Sequence, residues 1–211
     1  MIAHHPEKSL LVDYSAGNMS FGPAMCVTAH LEHCQRCQRE LQGMTTLGAV
    51  LMEQQRGTEV SPDLLDQVMQ RIESEDSAAM QTEQCKKQSV LDKFVPRDLA
   101  SIDWRGIGDT LKSHEIDVGD PSHFVTLIRM RRGGTVPKHT HKGQEITLVL
   151  QGGFSDASGS YQVGDFVECT SEIEHQPVAN QNEDCICLTS RSAPIKFTGP
   201  FMRTLNPFVR R

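Results

Sequence analysis

No stretch of this sequence approaches the roughly 18 consecutive apolar residues that a membrane-spanning helix needs. Its first residues, MIAHHPEKSLL, also lack the apolar segment of a secretory signal. We therefore expect a cytoplasmic protein without membrane contact. In that compartment the seven cysteines are expected to be thiols or metal ligands, and their odd number argues against complete disulfide pairing.

An excess of basic residues is absent as well. Lys and Arg number 21 against 27 Asp and Glu, which gives a formal net charge of −6. Proteins that bind nucleic acid directly normally carry a basic surface, so this balance disfavours direct nucleic-acid binding. With 211 residues, of which 37% are hydrophobic, the chain is long enough for two small globular domains.

Residues 1–75 are predicted to form a small helical domain of about four helices. Gly17 can end the first helix, and a second is expected over residues 20–31. A third helix follows Cys34. The fourth begins at Ser61-Pro62-Asp63, which offers an N-cap, a proline for the first turn and an acidic group at the positive helix end. Its apolar stripe contains Leu64, Leu65, Val68, Met69 and Ile72.

Residues 76–90 are polar and are predicted to be a linker. Residues 91–211 then show short strand-like segments separated by glycines, including Gly133-Gly134 and Gly152-Gly153. Many short strands with closely spaced turns favour an antiparallel sandwich or barrel. The predicted fold class is therefore α + β in two domains, with the helical domain first and an antiparallel β-barrel second.

The helical region contains the pattern HxxxCxxC, formed by His30, Cys34 and Cys37. At this spacing a helix and the turn that ends it could bring all three groups to one side. Two thiolates and an imidazole suit zinc, which prefers tetrahedral nitrogen and sulfur ligands. The alternatives are buried thiols beside a surface histidine, or a redox-active CxxC pair.

A closed zinc site needs a fourth ligand, and His4, His5 and His33 are near in sequence. His33 would point elsewhere in a helix, whereas His5 would be brought back by the first helix. We therefore predict an N-terminal cluster of His5, His30, Cys34 and Cys37.

The β region contains a second pattern, GGTVPKHTHKGQEITLVLQG, over residues 133–152. His139 and His141 are two apart on a predicted strand, so both rings would point to the same face. Glu145 follows after a short bend, and His175 lies further along in GDFVECTSEIEH. We predict that these four residues form a C-terminal cluster for zinc, iron, manganese or nickel. The alternative is that HxH is a chance surface pair.

These patterns resemble known families. The HxxxCxxC motif with its upstream histidine resembles the zinc-binding anti-sigma domain. Residues 133–152 match the first cupin motif, and residues 164–175 match the second in part, because Thr170 and Glu172 replace its usual proline and glycine. In this order the two motifs resemble the ChrR family of anti-sigma factors, with a cupin-like second domain.

The resemblance implies one zinc ion in each domain, two per chain. It also implies that the helical domain binds an extracytoplasmic-function sigma factor and blocks its contact with RNA polymerase. The cupin-like domain would be required for release under singlet-oxygen or organic-peroxide stress. Such a protein is a regulator and not an enzyme.

Two other functions fit the same residues. The C-terminal cluster could be the centre of a cupin metalloenzyme, a dioxygenase or isomerase acting on a small organic substrate. The chain could also be a metal-binding module without a sigma factor. Cys185 and Cys187 would share one face of a strand, either as β-core or as oxidant sensors, and Cys85 in the linker is expected to be an ordinary thiol.

Overall fold

The computed structural model describes residues 2–74, 89–96, 98–106, 109–199, 203, 204 and 206. Cys85 and most of the predicted linker lie outside these residues. Four α-helices come first within the described part: α1 (Lys8–Ser15), α2 (Phe21–Leu31), α3 (Gln35–Glu53) and α4 (Leu64–Ser74). None of the described helices combines the length and apolar character needed to cross a bilayer.

Ten short strands follow two 3-10 turns at Val90–Lys93 and Leu99–Ser101 in the described part of the chain. They pair antiparallel in three sheets, with the orders β1-β2-β9-β4-β7, β10-β3 and β6-β5-β8. The predicted α + β arrangement is therefore confirmed. The strands are β1 (Leu111–Ile116), β2 (Phe124–Met130), β3 (His139–His141), β4 (Glu145–Gln151), β5 (Gly153–Asp156), β6 (Gly159–Gln162), β7 (Phe166–Cys169), β8 (Val178–Ala179), β9 (Cys185–Arg191) and β10 (Ile195–Phe197).

Local sequence explains where the helices begin and end. Gly17, as predicted, follows α1 with a φ of 70°, a left-handed conformation that glycine adopts without steric cost. The fourth helix begins at Leu64, slightly later than predicted. Ser61 precedes it, with its hydroxyl donating to Asp63 at 2.8 Å and its carbonyl accepting from the Leu64 N–H at 3.0 Å.

The five-stranded sheet is buried on both faces. On β9 the side chain of Leu188 belongs to the core that includes residues of α2, whereas Cys187 belongs to a second core with residues of β4 and β5. Leu188 lies opposite Leu127 of β2 and Leu148 of β4, so a row of leucines crosses the helix-covered face. Burial on both faces explains why successive residues are apolar in residues 148–150 of β4 and 185–188 of β9, without the alternation of a strand that has one exposed face.

Helix α2 covers one face of this sheet at very short range. A Cβ added to Gly22 would lie 2.8 Å from Ser190 Oγ and 3.0 Å from His123 Cβ and Val125 Cγ2. The Gly22 N–H donates to Asp120 Oδ2 at 3.0 Å, so a carboxylate of the β1–β2 loop satisfies one free donor at the start of α2.

The chain divides into two compact units, Met1–Thr45 with Ser89–Arg211, and Thr46–Gln88. The first unit contains α1, α2, the start of α3 and all the strands. The second contains the end of α3 and α4. These units are not the predicted domains 1–75 and 91–211, whose borders stay a prediction.

Candidate metal centres

Three separate segments bring the N-terminal cluster together. His5 lies in the extended segment before α1, His30 is near the end of α2, and Cys34 and Cys37 lie in the turn after α2 and the first turn of α3. One ligand atom from each residue lies within 4.8 Å of all the others. His5 Nδ1 is 3.3 Å from Cys34 Sγ and 3.4 Å from Cys37 Sγ, and His30 Nε2 is 3.4 Å from Cys37 Sγ.

These separations fit a tetrahedral zinc ion. Bonds of about 2.3 Å to sulfur and about 2.0–2.1 Å to nitrogen place neighbouring ligand atoms about 3.3–3.8 Å apart. Burial raises the pKa of the Cys37 thiol to about 12, with the neighbouring Cys34 adding to the rise. Without a cation the Cys37 thiol would thus be neutral, and a bound metal would displace its proton. Cys34 and Cys37 are free thiols and do not form a disulfide.

The orientation of His30 is set by the turn between β6 and β7. Its Nδ1–H donates to the carbonyl of Gly164 at 2.8 Å, which leaves Nε2 to face Cys37. The ring of Phe166 lies against it edge to face, with centroids 5.6 Å apart. A fixed tautomer of this kind is typical of metal-binding histidines.

The C-terminal cluster gathers three buried imidazoles. His139 and His141 both point inward from β3, as their spacing predicted, and His175 pairs with His139 through two backbone hydrogen bonds of 3.0 and 3.1 Å. The Nε2 atom of His175 is 3.1 Å from Nε2 of both His139 and His141. The ligand atoms of the three histidines all lie within 4.8 Å of one another.

The hydrogen bonds of these rings favour a cation between them. His139 Nδ1–H donates to the Pro137 carbonyl at 2.8 Å, and His175 Nδ1–H donates to Asp156 Oδ2 at 3.0 Å. The Nε2 atoms of His139 and His175 then both carry lone pairs and lie 3.1 Å apart. Two lone pairs cannot form a hydrogen bond with each other. Burial also lowers the pKa of His139 and His141 to about 4, which keeps them neutral and able to bind metal.

The carboxylate of Glu145 lies beside the three imidazoles but outside their tight group. Its Oε2 is 3.4 Å from His141 Nδ1 and 3.9 Å from Arg191 Nε, and its Oε1 accepts a hydrogen bond from Thr147 at 3.1 Å. Its role as a ligand stays a prediction. Buried His141 Nδ1 has no hydrogen-bond partner, so this side of the cluster has an unsatisfied polar atom.

Sequence reasoning missed three residues that contact the ligand histidines or the segment that carries His5: Asp156, Gly164 and Asp165. Asp156 is 19 positions from the histidine that it contacts, and no spacing rule connects the two. Gly164 and Asp165 are the first two residues of the second cupin motif. The motif does not show that Gly164 contacts His30 of α2 or that Asp165 contacts the segment before α1.

A small cavity of about 100 Å³ adjoins the C-terminal cluster. His139, His175 and Cys187 line it together with apolar side chains of β1, β2, β5 and β10. Cys185 and Cys187 are buried free thiols with their sulfur atoms 3.6 Å apart, so they share one face as predicted. Their redox activity stays a prediction.

Comparison with known proteins places the whole chain in one family. Residues 94–194 match the family model of the ChrR cupin-like domain. Over 211 residues the chain is 31% identical to the anti-sigma-E factor ChrR of Cereibacter sphaeroides, covering 99% of both proteins. It also matches the crystal structure of Rhodobacter sphaeroides SigE in complex with the anti-sigma ChrR, with 31% identity, a TM-score of 0.78 and coverage of 90% of this chain and 99% of that one. The chain therefore belongs to the ChrR family.

Proposed function

We propose that the protein is an anti-sigma factor that binds an extracytoplasmic-function sigma factor in the cytoplasm. The observation that carries this proposal is the similarity to ChrR over 99% of both chains, together with the match to a ChrR structure in complex with SigE. Similarity over the full length supports a regulatory role over the alternative of a cupin enzyme, because a metalloenzyme would require only the β region.

Helix α4 offers a surface for such a partner. It is amphipathic, and its apolar residues are 42–70% exposed instead of packed in a core. An exposed apolar helix face is a common element of protein recognition. This α4 stripe consists of Leu64, Leu65, Val68, Met69 and Ile72.

We propose that zinc stabilises the sigma-binding form. The N-terminal cluster joins the segment before α1 to the α2–α3 turn. The structure has only one fully buried residue in α1, Leu11, among the described residues of that helix. A zinc ion would therefore supply much of the free energy that holds these helices together.

We further propose that singlet-oxygen or organic-peroxide stress releases the sigma factor through the β region. The support is the membership of the ChrR family and a cavity that reaches the C-terminal cluster. A loss of about 1.4 kcal/mol of binding free energy lowers affinity tenfold, so a modest rearrangement would be sufficient for release.

The proposal is tested by co-expressing the chain with each extracytoplasmic-function sigma factor of its own genome. We expect one of them to co-purify, and the double substitution Leu65→Glu with Met69→Glu to weaken the complex at least tenfold, by about 1.4 kcal/mol or more. Gln70→Glu, on another face of α4, adds a negative charge but should leave binding unchanged. Failure of every sigma factor to bind, or equal binding by all variants, would refute the proposal.

A further inference from the structure

The turn that leads into β7 makes two contacts near the N-terminal cluster, one with the segment before α1 and one with the imidazole of His30. Asp165 in this turn is only 2% exposed. Its Oδ1 accepts hydrogen bonds from the N–H groups of Ala3 at 2.7 Å and His4 at 3.0 Å, and its Oδ2 accepts from Gln162 at 2.8 Å. The Phe166 N–H then donates to the His4 carbonyl at 3.2 Å. The segment that presents His5 is thus held along its backbone by the β region.

The second contact is the carbonyl of Gly164, which accepts the Nδ1–H of His30. Gly164 has a φ of 89°, and a Cβ at this position would lie 2.7 Å from Ile2 Cδ1. A side chain here would therefore disturb both the turn and the segment before α1. Glycine at position 164 allows the turn to place the Gly164 carbonyl against His30. The same turn places the Asp165 carboxylate against the backbone of Ala3 and His4.

We infer that Gly164 and Asp165 are positioning residues for the N-terminal metal site, so that the β region holds both imidazole ligands while the α2–α3 turn holds both thiolates. This inference rests on metal binding by the N-terminal cluster and does not depend on the sigma factor. All four ligands thus lie in the predicted helical domain, whereas the groups that position the imidazoles lie in the predicted β domain. Because binding free energies are reciprocal, metal stabilises the contact between these parts and the contact raises metal affinity.

Cobalt provides a selective probe of this site. Co²⁺ bound to thiolates gives an intense charge-transfer absorption, which a site made of imidazoles and a carboxylate lacks. Titration of the metal-free full chain with Co²⁺ alone, against a competing chelator, therefore reports the affinity of the N-terminal cluster. Cys34→Ser, which removes one thiolate, should weaken the band and so identify its origin.

Asp165→Asn keeps the size of the side chain but removes its charge and replaces one acceptor atom with a donor. We expect cobalt affinity at the thiolates to fall about tenfold or more, the usual cost of losing a group that orients metal ligands. Ala3→Pro removes one of the N–H donors without altering the β region, and should lower affinity in the same direction. The matched control is Asp184→Asn, whose carboxylate accepts from the Arg132 N–H and pairs with Arg129. This control should bind cobalt like the wild type.

Circular dichroism of each variant checks that it folds. If Asp165→Asn does not fold, Ala3→Pro decides the question alone. Thiolate-site affinities within about twofold of the wild type in the folded variants would overturn the inference, since changes in ligand orientation normally cost more. Absence of the charge-transfer band in the wild type would also overturn it, but would leave sigma-factor binding, measured separately, unaffected.

Discussion

Individual hydrogen bonds decide how the histidines of both clusters can act. His30, His139 and His175 each donate Nδ1–H to a nearby oxygen and leave Nε2 facing the cluster. The three acceptors differ, being two backbone carbonyls and one carboxylate. Each imidazole is thereby held in one tautomer and one orientation, which reduces the cost of ordering the ligands when metal binds.

The first prediction concerns the cysteines of the N-terminal region. Cys34→Ser should reduce the zinc content by about one ion per chain, because the hydroxyl is a poor replacement for a thiolate ligand. Cys26→Ser is the matched control, since Cys26 is also buried but does not belong to the cluster of possible ligands. Its zinc content should be unchanged.

Metal analysis of the purified full-length variants measures both outcomes. An unchanged zinc content in Cys34→Ser, or an equal loss in both variants, would contradict the assignment of Cys34 as a ligand. Thermal unfolding in parallel separates metal loss from general instability.

At the level of elements, the docking of α2 on the five-stranded sheet determines where His30 lies. Helix and sheet meet at Gly22, where no room exists for a side chain. Asp120 fixes the same end of the helix by accepting from the Gly22 N–H. The other end of α2 then carries His30 to Gly164, so one rigid helix connects the sheet to the N-terminal cluster.

The second prediction tests this docking with two glycines. Gly22→Ala should lower the free energy of unfolding by about 1–3 kcal/mol, because the added methyl group must displace α2 or its neighbours in the sheet. Gly43→Ala, in α3, has no atom within 4 Å of its added Cβ. It should raise the stability by about 0.5–1 kcal/mol, since alanine is the better helix former.

Thermal or denaturant unfolding of the zinc-loaded protein measures the two changes. The prediction requires that the free energy of unfolding falls in Gly22→Ala and rises in Gly43→Ala. A Gly22→Ala protein as stable as the wild type would show that the helix is not held against the sheet at this distance.

Across the whole molecule, a single strand extends between the two clusters. β7 begins next to Asp165, beside the N-terminal cluster, and ends at Cys169. Cys169 pairs with Glu145 of β4, and its sulfur is 4.0 Å from His175 Nδ1. The two clusters therefore share one element of a folded unit, instead of belonging to independent bodies.

The third prediction concerns pH and the metal-free protein. Burial lowers the pKa of His139 and His141 from the ordinary 6.5 to about 4 in the folded state. Between these values the unfolded chain binds more protons than the folded chain, so the stability that neutral histidines provide is present above pH 6.5 and is lost as the pH falls towards 4. Denaturant unfolding after chelation should show this decrease.

A variant with both His139→Asn and His141→Asn is the control, and its stability should depend less on pH in this range. If the chelated wild type were equally stable at pH 4 and at pH 6.5, the burial of these two imidazoles would have no effect on the free energy of unfolding.

Much of this protein is determined by local sequence. The two ligand motifs, the four helices and the short antiparallel strands follow from spacing, periodicity and glycine turns, which involve residues close together in the chain. The ligand spacing of HxxxCxxC is almost a local property, because α2, one turn and the start of α3 bring its three groups together. His139 and His141 share a face simply because they are two apart on a strand.

Tertiary structure alone decided how these parts combine. The separation into a helical and a β domain was inferred from the change in periodicity, yet residues up to Thr45 form one compact unit with the strands. Asp165 holds His4 across 161 positions of sequence, and Asp156 meets His175 through the pairing of separate strands. Contacts of this kind depend on how faces pack in three dimensions, and a single sequence contains no periodic signal for them.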